Sequence, residues 1–163
     1  MTGRPPSPAW ITRAEFADLS LAARESARRR KNRNFHQADD AVHRLLNAVE
    51  PGTYIRPHRH LHPARSETIV VLAGRVGLIL FDAEGNVVGS RVLENAGETV
   101  GADLPPETWH TFVALEPGSV FFETKAGPYA PPGEQDLAPW APPEGSPDSP
   151  AFERKFRALF TGK

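Results

Sequence analysis

The middle of the chain consists of short apolar runs separated by turn residues. Between residues 42 and 125 these runs are five to eight residues long, rich in Val, Ile, Leu, Phe and Thr. No helical interval of about 10 to 15 residues separates them, which disfavours a parallel βαβ sheet. The pattern therefore predicts an all-β sandwich or barrel. The predicted strands are 42–49, 53–58, 67–72, 75–81, 87–93, 99–104, 109–115 and 119–125.

Capping signals predict helices before this β-rich region. Thr12 and Glu15 form a capping box ahead of an apolar face, which favours a helix start. Ser20 predicts the cap of a second helical stretch that ends in the basic run 28–31. We interpret that run as a solvated helix end, since the helix dipole favours cations there.

The region after the predicted strands is rich in proline. Eight of the 17 prolines lie between Pro128 and Pro150. Because proline lacks the N–H that a sheet ladder needs, residues 127–143 should wrap the body as an extended strap. Tyr129 and Trp140 provide apolar area to dock this strap. Ser149 and Pro150 then predict the start of an amphipathic helix, whose aromatic stripe should pack on the barrel or on a partner subunit.

The chain of 163 residues has a length typical of one domain. Within it we expect an N-terminal arm with helices (1–40), a β-barrel (41–127), and a strap with a terminal helix (128–163). There is no cysteine, which excludes disulfides, thiolate nucleophiles and cysteine-bound metals. Any metal must therefore bind through histidine and oxygen ligands.

Charge and hydropathy exclude several classes of partner. The net charge of −1 argues against a nucleic-acid binder that depends on many phosphate contacts. No apolar run approaches the roughly 20 residues of a membrane-spanning helix. The first eight residues contain no apolar stretch typical of a secretory signal, so we expect a cytoplasmic protein. We expect its partner to be a small-molecule substrate.

The histidines are concentrated in one short segment. His58, His60 and His62 alternate, and residues two apart on a strand point to the same side, so the first two present their imidazoles to one point. The same alternation places Tyr54 and Arg56 on the histidine face. An inward arginine beside two histidines is hard to explain by packing, and its guanidinium suits a carboxylate or phosphate.

Two further ligand residues begin later predicted strands. Glu67 and His110 would join His58 and His60 if the barrel brings these strands together. Three imidazoles and one carboxylate suit one divalent transition metal, namely Fe, Mn, Ni, Cu or Zn. A six-coordinate ion would then keep two positions for water or substrate.

These residues resemble the two cupin motifs. The first motif, Gly-x5-His-x-His-x3–4-Glu-x6-Gly, is matched by Gly52, His58, His60, Glu67 and Gly74, and the second, Pro-x-Gly-x2-His, by Pro105, Glu107 and His110. Six residues separate His60 from Glu67, so a second register with His60 and His62 as ligands stays open. In the second motif, Glu107 stands where the family has glycine.

A narrower set of motifs resembles the WbuC family of cupin-fold metalloproteins, over about residues 19–144. The matching stretches are Asn32-x-Asn34-x-His36, Arg44-Leu-Leu-Asn47, the segment from Pro51 to His60, Phe81-Asp82, Trp109-His110-Thr111, Glu123-x-Lys125-x-Gly127-Pro-Tyr129 and Ala138-Pro-Trp140.

The resemblance implies a cupin double-stranded β-helix, that is, a jelly-roll barrel with N-terminal helices, the strap and a short C-terminal helix. Paired edge strands or an exchanged strap are compatible with a homodimer. For function we expect a metal-dependent enzyme, such as an isomerase or epimerase, that acts on a polar anionic sugar-like or carboxylated molecule in surface-polysaccharide metabolism. The alternatives are an Fe(II) dioxygenase and a non-catalytic module that binds a ligand or metal.

Overall fold

The computed structural model describes residues 7–61 and 63–162. This part of the chain forms strands and helices in a mostly β arrangement. The elements are α1 (Arg13–Glu25), β1 (Arg30–Asn34), β2 (Val42–Val49), β3 (Glu67–Ala73), β4 (Arg75–Phe81), β5 (Val87–Glu94), β6 (Gly101–Leu104), β7 (Trp109–Ala114), β8 (Ser119–Ala126), a 3₁₀ helix (Glu134–Asp136) and α2 (Ser149–Ala158).

The strands form two antiparallel sheets that face each other. One sheet has the order β1-β2-β8-β3-β6 and the other β5-β4-β7. A buried apolar core lies between them, because alternate residues of both sheets point inward. Its members include Ile69, Val76, Leu78, Phe112 and Phe121. The predicted all-β class is confirmed.

The N-terminal region differs from the prediction in two ways. Thr12 caps α1 as expected, and its hydroxyl accepts the Glu15 N–H at 3.3 Å. Ser20, however, is buried inside this one helix and starts no second one. The basic run does not end a helix either, since Arg30 begins β1, which pairs with β2 from Arg30 opposite Val49 onward. Backbone pairing with β2 outweighs the local helical preference of this run.

The strand predicted over 53–58 is not formed. In this segment only His58 makes β-type pairing, as an isolated bridge to His110 and to Leu137. Gly52 starts the segment at a φ of +95°, and Pro57 has no N–H to donate. The backbone is therefore extended without belonging to a ladder, and the alternation argument does not apply to its side chains.

The strap and α2 cover the side of the three-stranded sheet that faces away from the core. Phe156 of α2 and Phe160, two residues beyond its end, are buried, as the aromatic stripe requires. They pack with Phe81 and Ile79 in a second apolar cluster. The division into three segments stays a prediction. In the described part of the chain, no helix combines the length and apolar character that crossing a bilayer requires.

Candidate metal centre

Four side chains with metal-binding atoms converge near one end of the molecule. They are His58, His60, Glu67 and His110, and one ligand atom from each lies within 4.8 Å of the others. Glu67 is the first residue of β3, and His110 lies in β7. The structure thus brings together all four residues that the sequence suggests as ligands.

Backbone hydrogen bonds set the relative position of these residues. The His58 N–H donates to the His110 carbonyl at 3.0 Å, and the His110 N–H donates to the His58 carbonyl at 2.9 Å. The Glu107 N–H donates to the His60 carbonyl at 3.3 Å. Glu67 is paired with Lys125 of β8 in the five-stranded sheet. The ligand segment, residues 58–61, is therefore attached to β7 of the three-stranded sheet, whereas Glu67 belongs to the five-stranded sheet.

Hydrogen bonds also decide which nitrogen of each ring is available. The Nδ1 atom of His58 lies 3.0 Å from the Arg56 carbonyl, and that of His110 lies 2.8 Å from the Thr108 carbonyl. A carbonyl oxygen only accepts, so both Nδ1 atoms carry the proton and both Nε2 atoms keep a lone pair. Metal-bound histidines use this same arrangement.

The buried Nε2 of His110 makes no hydrogen bond among the described residues. Its nearest acidic atom is Oε2 of Glu67 at 3.4 Å, which is long for a hydrogen bond. The same Oε2 lies 2.6 Å from Nε2 of His60. The cluster offers three imidazole nitrogens, one of them buried without a hydrogen bond, and one carboxylate oxygen. This set of donor atoms fits a divalent transition metal.

The electrostatic surroundings favour the ligand forms of these groups. Burial, followed by the charges of His110 and His60, lowers the pKa of His58 to about 3, against an opposing effect of Glu67. Burial disfavours the ionised Glu67, but the adjacent imidazoles of His110 and His60 and the charge of Lys125 hold its pKa well below the usual range. A neutral imidazole and an ionised carboxylate are the forms that bind metal.

A second buried pair lies behind Glu67 on β8. The Nζ atom of Lys125 donates to Oε1 of Glu123 at 2.6 Å, and Nδ2 of Asn47 donates to Oε2 of Glu123 at 2.8 Å. Burial and the charge of Glu67 raise the pKa of Glu123 to about 7, although Lys125 opposes this. The sequence leaves the direction of Lys125 open, because β8 could not be placed relative to the barrel interior.

A cavity of about 260 Å³ opens beside the cluster. His58 and His60 contribute to its lining, and the strap supplies one wall through residues such as Tyr129 and Leu137. Four cationic side chains also line it, namely Arg56, Arg59, Arg65 and Lys125. Arg59 lies in the segment from Pro51 to His60, but strand alternation predicts it on the face opposite the histidines, and no motif or spacing in the sequence marks Arg65.

The two predicted substrate-binding residues lie in different surroundings. Arg56 lines the cavity, and its Nε and Nη2 donate to the Ala138 carbonyl of the strap at 3.1 and 2.7 Å. Tyr54 packs in the apolar cluster outside the sheets, and its hydroxyl donates to the Pro142 carbonyl at 2.9 Å. Burial raises the pKa of Tyr54 to about 12. Tyr54 thus contacts the strap, while Arg56 contacts both the strap and the cavity.

The second ligand register uses His60 and His62. It requires His62, which lies outside the described residues. The first register, with His58 and His60, is the one whose members approach Glu67 and His110.

Comparisons with known proteins place the chain in a family without a stated activity. No curated protein matches it. Among solved structures, KdgF from Halomonas sp. is 22% identical with a TM-score of 0.47, over 62% of this chain and 80% of KdgF. The oxalate decarboxylase of Lactobacillus farciminis, in its formate complex, is 19% identical with a TM-score of 0.49, over 65% of this chain and 30% of the enzyme.

An oxalate oxidase in complex with the substrate analogue glycolate is 15% identical with a TM-score of 0.49, over 61% of this chain and 51% of the oxidase. The chain thus spans less than two thirds of either oxalate enzyme. A family described as "Domain of unknown function (DUF6016)" matches residues 11–93, about half of the sequence. The chain therefore belongs to the DUF6016 family.

Proposed function

We propose that the chain binds one divalent transition metal through His58, His60, Glu67 and His110, and that it acts as a metal-dependent enzyme on a small anionic molecule. The observation that carries this proposal is the convergence of the four ligand atoms within 4.8 Å. The donor set suits Fe, Mn, Ni, Cu or Zn.

The adjoining cavity supports an enzyme rather than a closed structural site. Four protein ligands leave open positions on a five- or six-coordinate ion, and the cavity of about 260 Å³ gives access to the cluster. When bound, such a metal supplies Lewis acidity toward a carbonyl or hydroxyl oxygen.

The protein groups around the cavity have separate tasks in this proposal. Arg56 orients an anionic group of the substrate, because its guanidinium lines the cavity and is held in place by the Ala138 carbonyl. Tyr54 positions the strap through the Pro142 carbonyl and acts on the substrate only indirectly. The strap wall excludes water from the side that it covers.

The resemblance to the WbuC family supports a more specific setting. Some members of that family are encoded with surface-polysaccharide genes, so we propose a sugar-like or carboxylated substrate from that metabolism. The isomerase or epimerase reaction and a homodimeric assembly stay predictions at this level.

Metal uptake tests the proposal directly. Protein purified without added metal should contain about one first-row transition metal per chain by elemental analysis. Stripped protein at pH 7.5 should take up the metal again, and His110→Ala should weaken uptake by at least about tenfold, since it removes one of four ligands. His36→Ala is the matched control, because His36 lies outside the cluster and bonds to Arg44 backbone atoms. No uptake by the stripped wild-type protein would refute the metal site.

Turnover is tested on the metal-loaded protein with a panel of sugar acids, keto acids and nucleotide sugars. A product that forms without oxygen supports the isomerase or epimerase. Oxygen consumption that depends on a substrate and on Fe(II) would refute the isomerase or epimerase hypothesis and support a dioxygenase. Tight binding that depends on Arg56, with no product from any compound, would refute the enzyme hypothesis and support a non-catalytic binding module.

A further inference from the structure

The cavity beside the metal cluster carries more positive charge than one anionic group requires. Four cationic side chains line it, against the carboxylates of Asp136 and Glu144. Both carboxylates already have partners. Asp136 accepts the Leu61 N–H at 3.0 Å and the Gly133 N–H at 2.8 Å, while Glu144 binds arginines outside the lining, Arg28 and Arg30.

Three of the cationic side chains make no ion pair with a carboxylate in the part of the chain that the structure describes. Among the described residues, no ion pair includes Arg56, Arg59 or Arg65. Their guanidinium groups donate to neutral backbone carbonyls instead. The guanidinium of Arg59 also lies 4.5 Å from the centre of the Trp109 ring.

Arg65 is the most unusual of the three, because only 8% of its surface is exposed. Its Nη1 donates to the Ala126 carbonyl at 2.9 Å and to the Pro128 carbonyl at 3.3 Å. Two neutral acceptors compensate a buried guanidinium poorly, since a buried charge is stable mainly when an opposite charge accompanies it. A side chain in this state, in the wall of a cavity, is suited to an anion that enters the cavity.

The cationic residues lie on separate elements. Lys125, which is within electrostatic range of Arg65, is the register partner of Glu67 in the sheet. Arg56 lies instead beside His58, whose Nδ1 donates to its carbonyl. One cationic group thus adjoins the cluster at Glu67, and another adjoins it at His58.

We propose that the cavity binds a compact molecule with two anionic groups, one held by Arg56 and the other by Arg65 together with Lys125. This inference rests on the proposed function, because it names the class of substrate for the same site. The volume of about 260 Å³ lies below the range of roughly 300–1,000 Å³ typical of drug-sized ligands. It favours a dicarboxylate or a phosphorylated acid of a few carbons over a whole nucleotide sugar.

Calorimetry on the metal-loaded wild-type protein tests the charge requirement. The probes are succinate and succinamate, which have nearly the same size but differ by one negative charge. We expect succinate to bind at least about tenfold more tightly, as expected for one charge-assisted contact in a buried site. Phosphoglycolate, compared with succinate, distinguishes a phosphate from a second carboxylate as the group at Arg65. Equal affinity for succinate and succinamate, or no binding of either, would overturn the inference.

Variants then assign the second anion to Arg65. Arg65→Gln should reduce the preference for succinate to nearly onefold, whereas Arg65→Lys should retain most of it. Arg91→Gln, at an exposed position of β5 away from the cavity, should leave the preference unchanged. A full preference in folded Arg65→Gln would contradict the assignment.

Metal content is measured on every sample, so that two failures can be told apart. Loss of metal uptake by the wild-type protein refutes the proposed function. Normal uptake without a preference for two charges refutes only the inference about the substrate. The wild-type comparison decides the inference even where Arg65→Gln does not fold.

Discussion

His58 and His110 lie opposite each other and exchange two backbone hydrogen bonds, of 3.0 and 2.9 Å. Their ring centres are 4.4 Å apart. The two residues are 52 positions apart in the sequence, yet each carbonyl accepts the N–H of the other. The backbone itself therefore positions two of the four candidate ligands.

Metal removal should accordingly leave the fold intact. We expect chelator-treated protein to keep its β-type circular dichroism and a cooperative thermal transition, because the core between the sheets does not involve the cluster. Added metal should raise the free energy of unfolding by about 2.7 kcal/mol at a free concentration of 100 times Kd. Unfolding on chelation would show that the ion organises the ligand segment.

The stability of the metal-free protein should depend on pH through His58. Its pKa is about 3 in the folded protein, mainly because of burial, and roughly 6.5 in the unfolded chain. Between these values the unfolded chain binds a proton that the folded protein does not, so this group lowers stability as the pH falls from about 6.5 toward 3.

His58→Gln removes this effect. Its destabilisation should therefore be smaller at pH 4 than at pH 7.5, by about 1 to 3 kcal/mol. Urea unfolding of stripped wild-type and variant proteins at both pH values measures the difference, with equal m-values as the control. If His58→Gln destabilises the protein equally at pH 4 and pH 7.5, the pKa of His58 does not differ between the folded and unfolded states.

Asp136 should be important for both stability and metal affinity. Its buried carboxylate accepts the N–H groups of Leu61 and Gly133, and so joins the strap to the ligand segment. Asp136→Ala leaves both donors unpaired and should cost about 1 to 3 kcal/mol. Glu134→Ala, an exposed change in the same 3₁₀ helix, is the control and should change little. We expect weaker metal binding for Asp136→Ala alone, measured with a competing chelator.

Glu107 has a positive φ of +67°, an unfavourable backbone conformation for a residue with a side chain. Glycine relieves roughly 1 to 2 kcal/mol of strain but loses about 0.5 to 1 kcal/mol through the greater freedom of the unfolded chain. Glu107→Gly should therefore stabilise the protein by up to about 1 kcal/mol, as a rise in Tm. Glu107→Ala keeps the strain and should show no such rise. Equal Tm values for the two variants would argue against strain at this position.

Gly74 should tolerate no side chain. Its φ is +68°, and a Cβ atom there would collide with Ser119, including the Cα atom at 2.8 Å. Gly74→Ala should cost about 3 kcal/mol or more, since backbone strain and a steric clash add. Gly145 has a similar φ of +79° with nothing within 4 Å, so Gly145→Ala should show only the strain. Denaturant unfolding of both variants isolates the clash as their difference.

Much of the fold follows from local sequence patterns. The runs of alternating apolar residues predict the strands from β2 to β8, and the Thr12 capping box predicts the start of α1. These signals are local, because side-chain alternation and helix caps depend on neighbours in the chain. The spacing of His58, His60, Glu67 and His110 likewise predicts which residues meet.

Other features required the tertiary structure. Part of the basic run 28–31 forms a strand because it pairs with the edge of β2. Tyr54 does not lie on the histidine face, because its segment contacts the strap and is not paired in a sheet ladder. The burial of Arg65 could not be foreseen either, since its side chain donates to the carbonyls of Ala126 and Pro128, about 60 residues away in the sequence. Residue type and spacing thus determined the candidate ligands. Long-range packing decided which charged side chains surround them, because the burial of a side chain depends on contacts with distant parts of the chain.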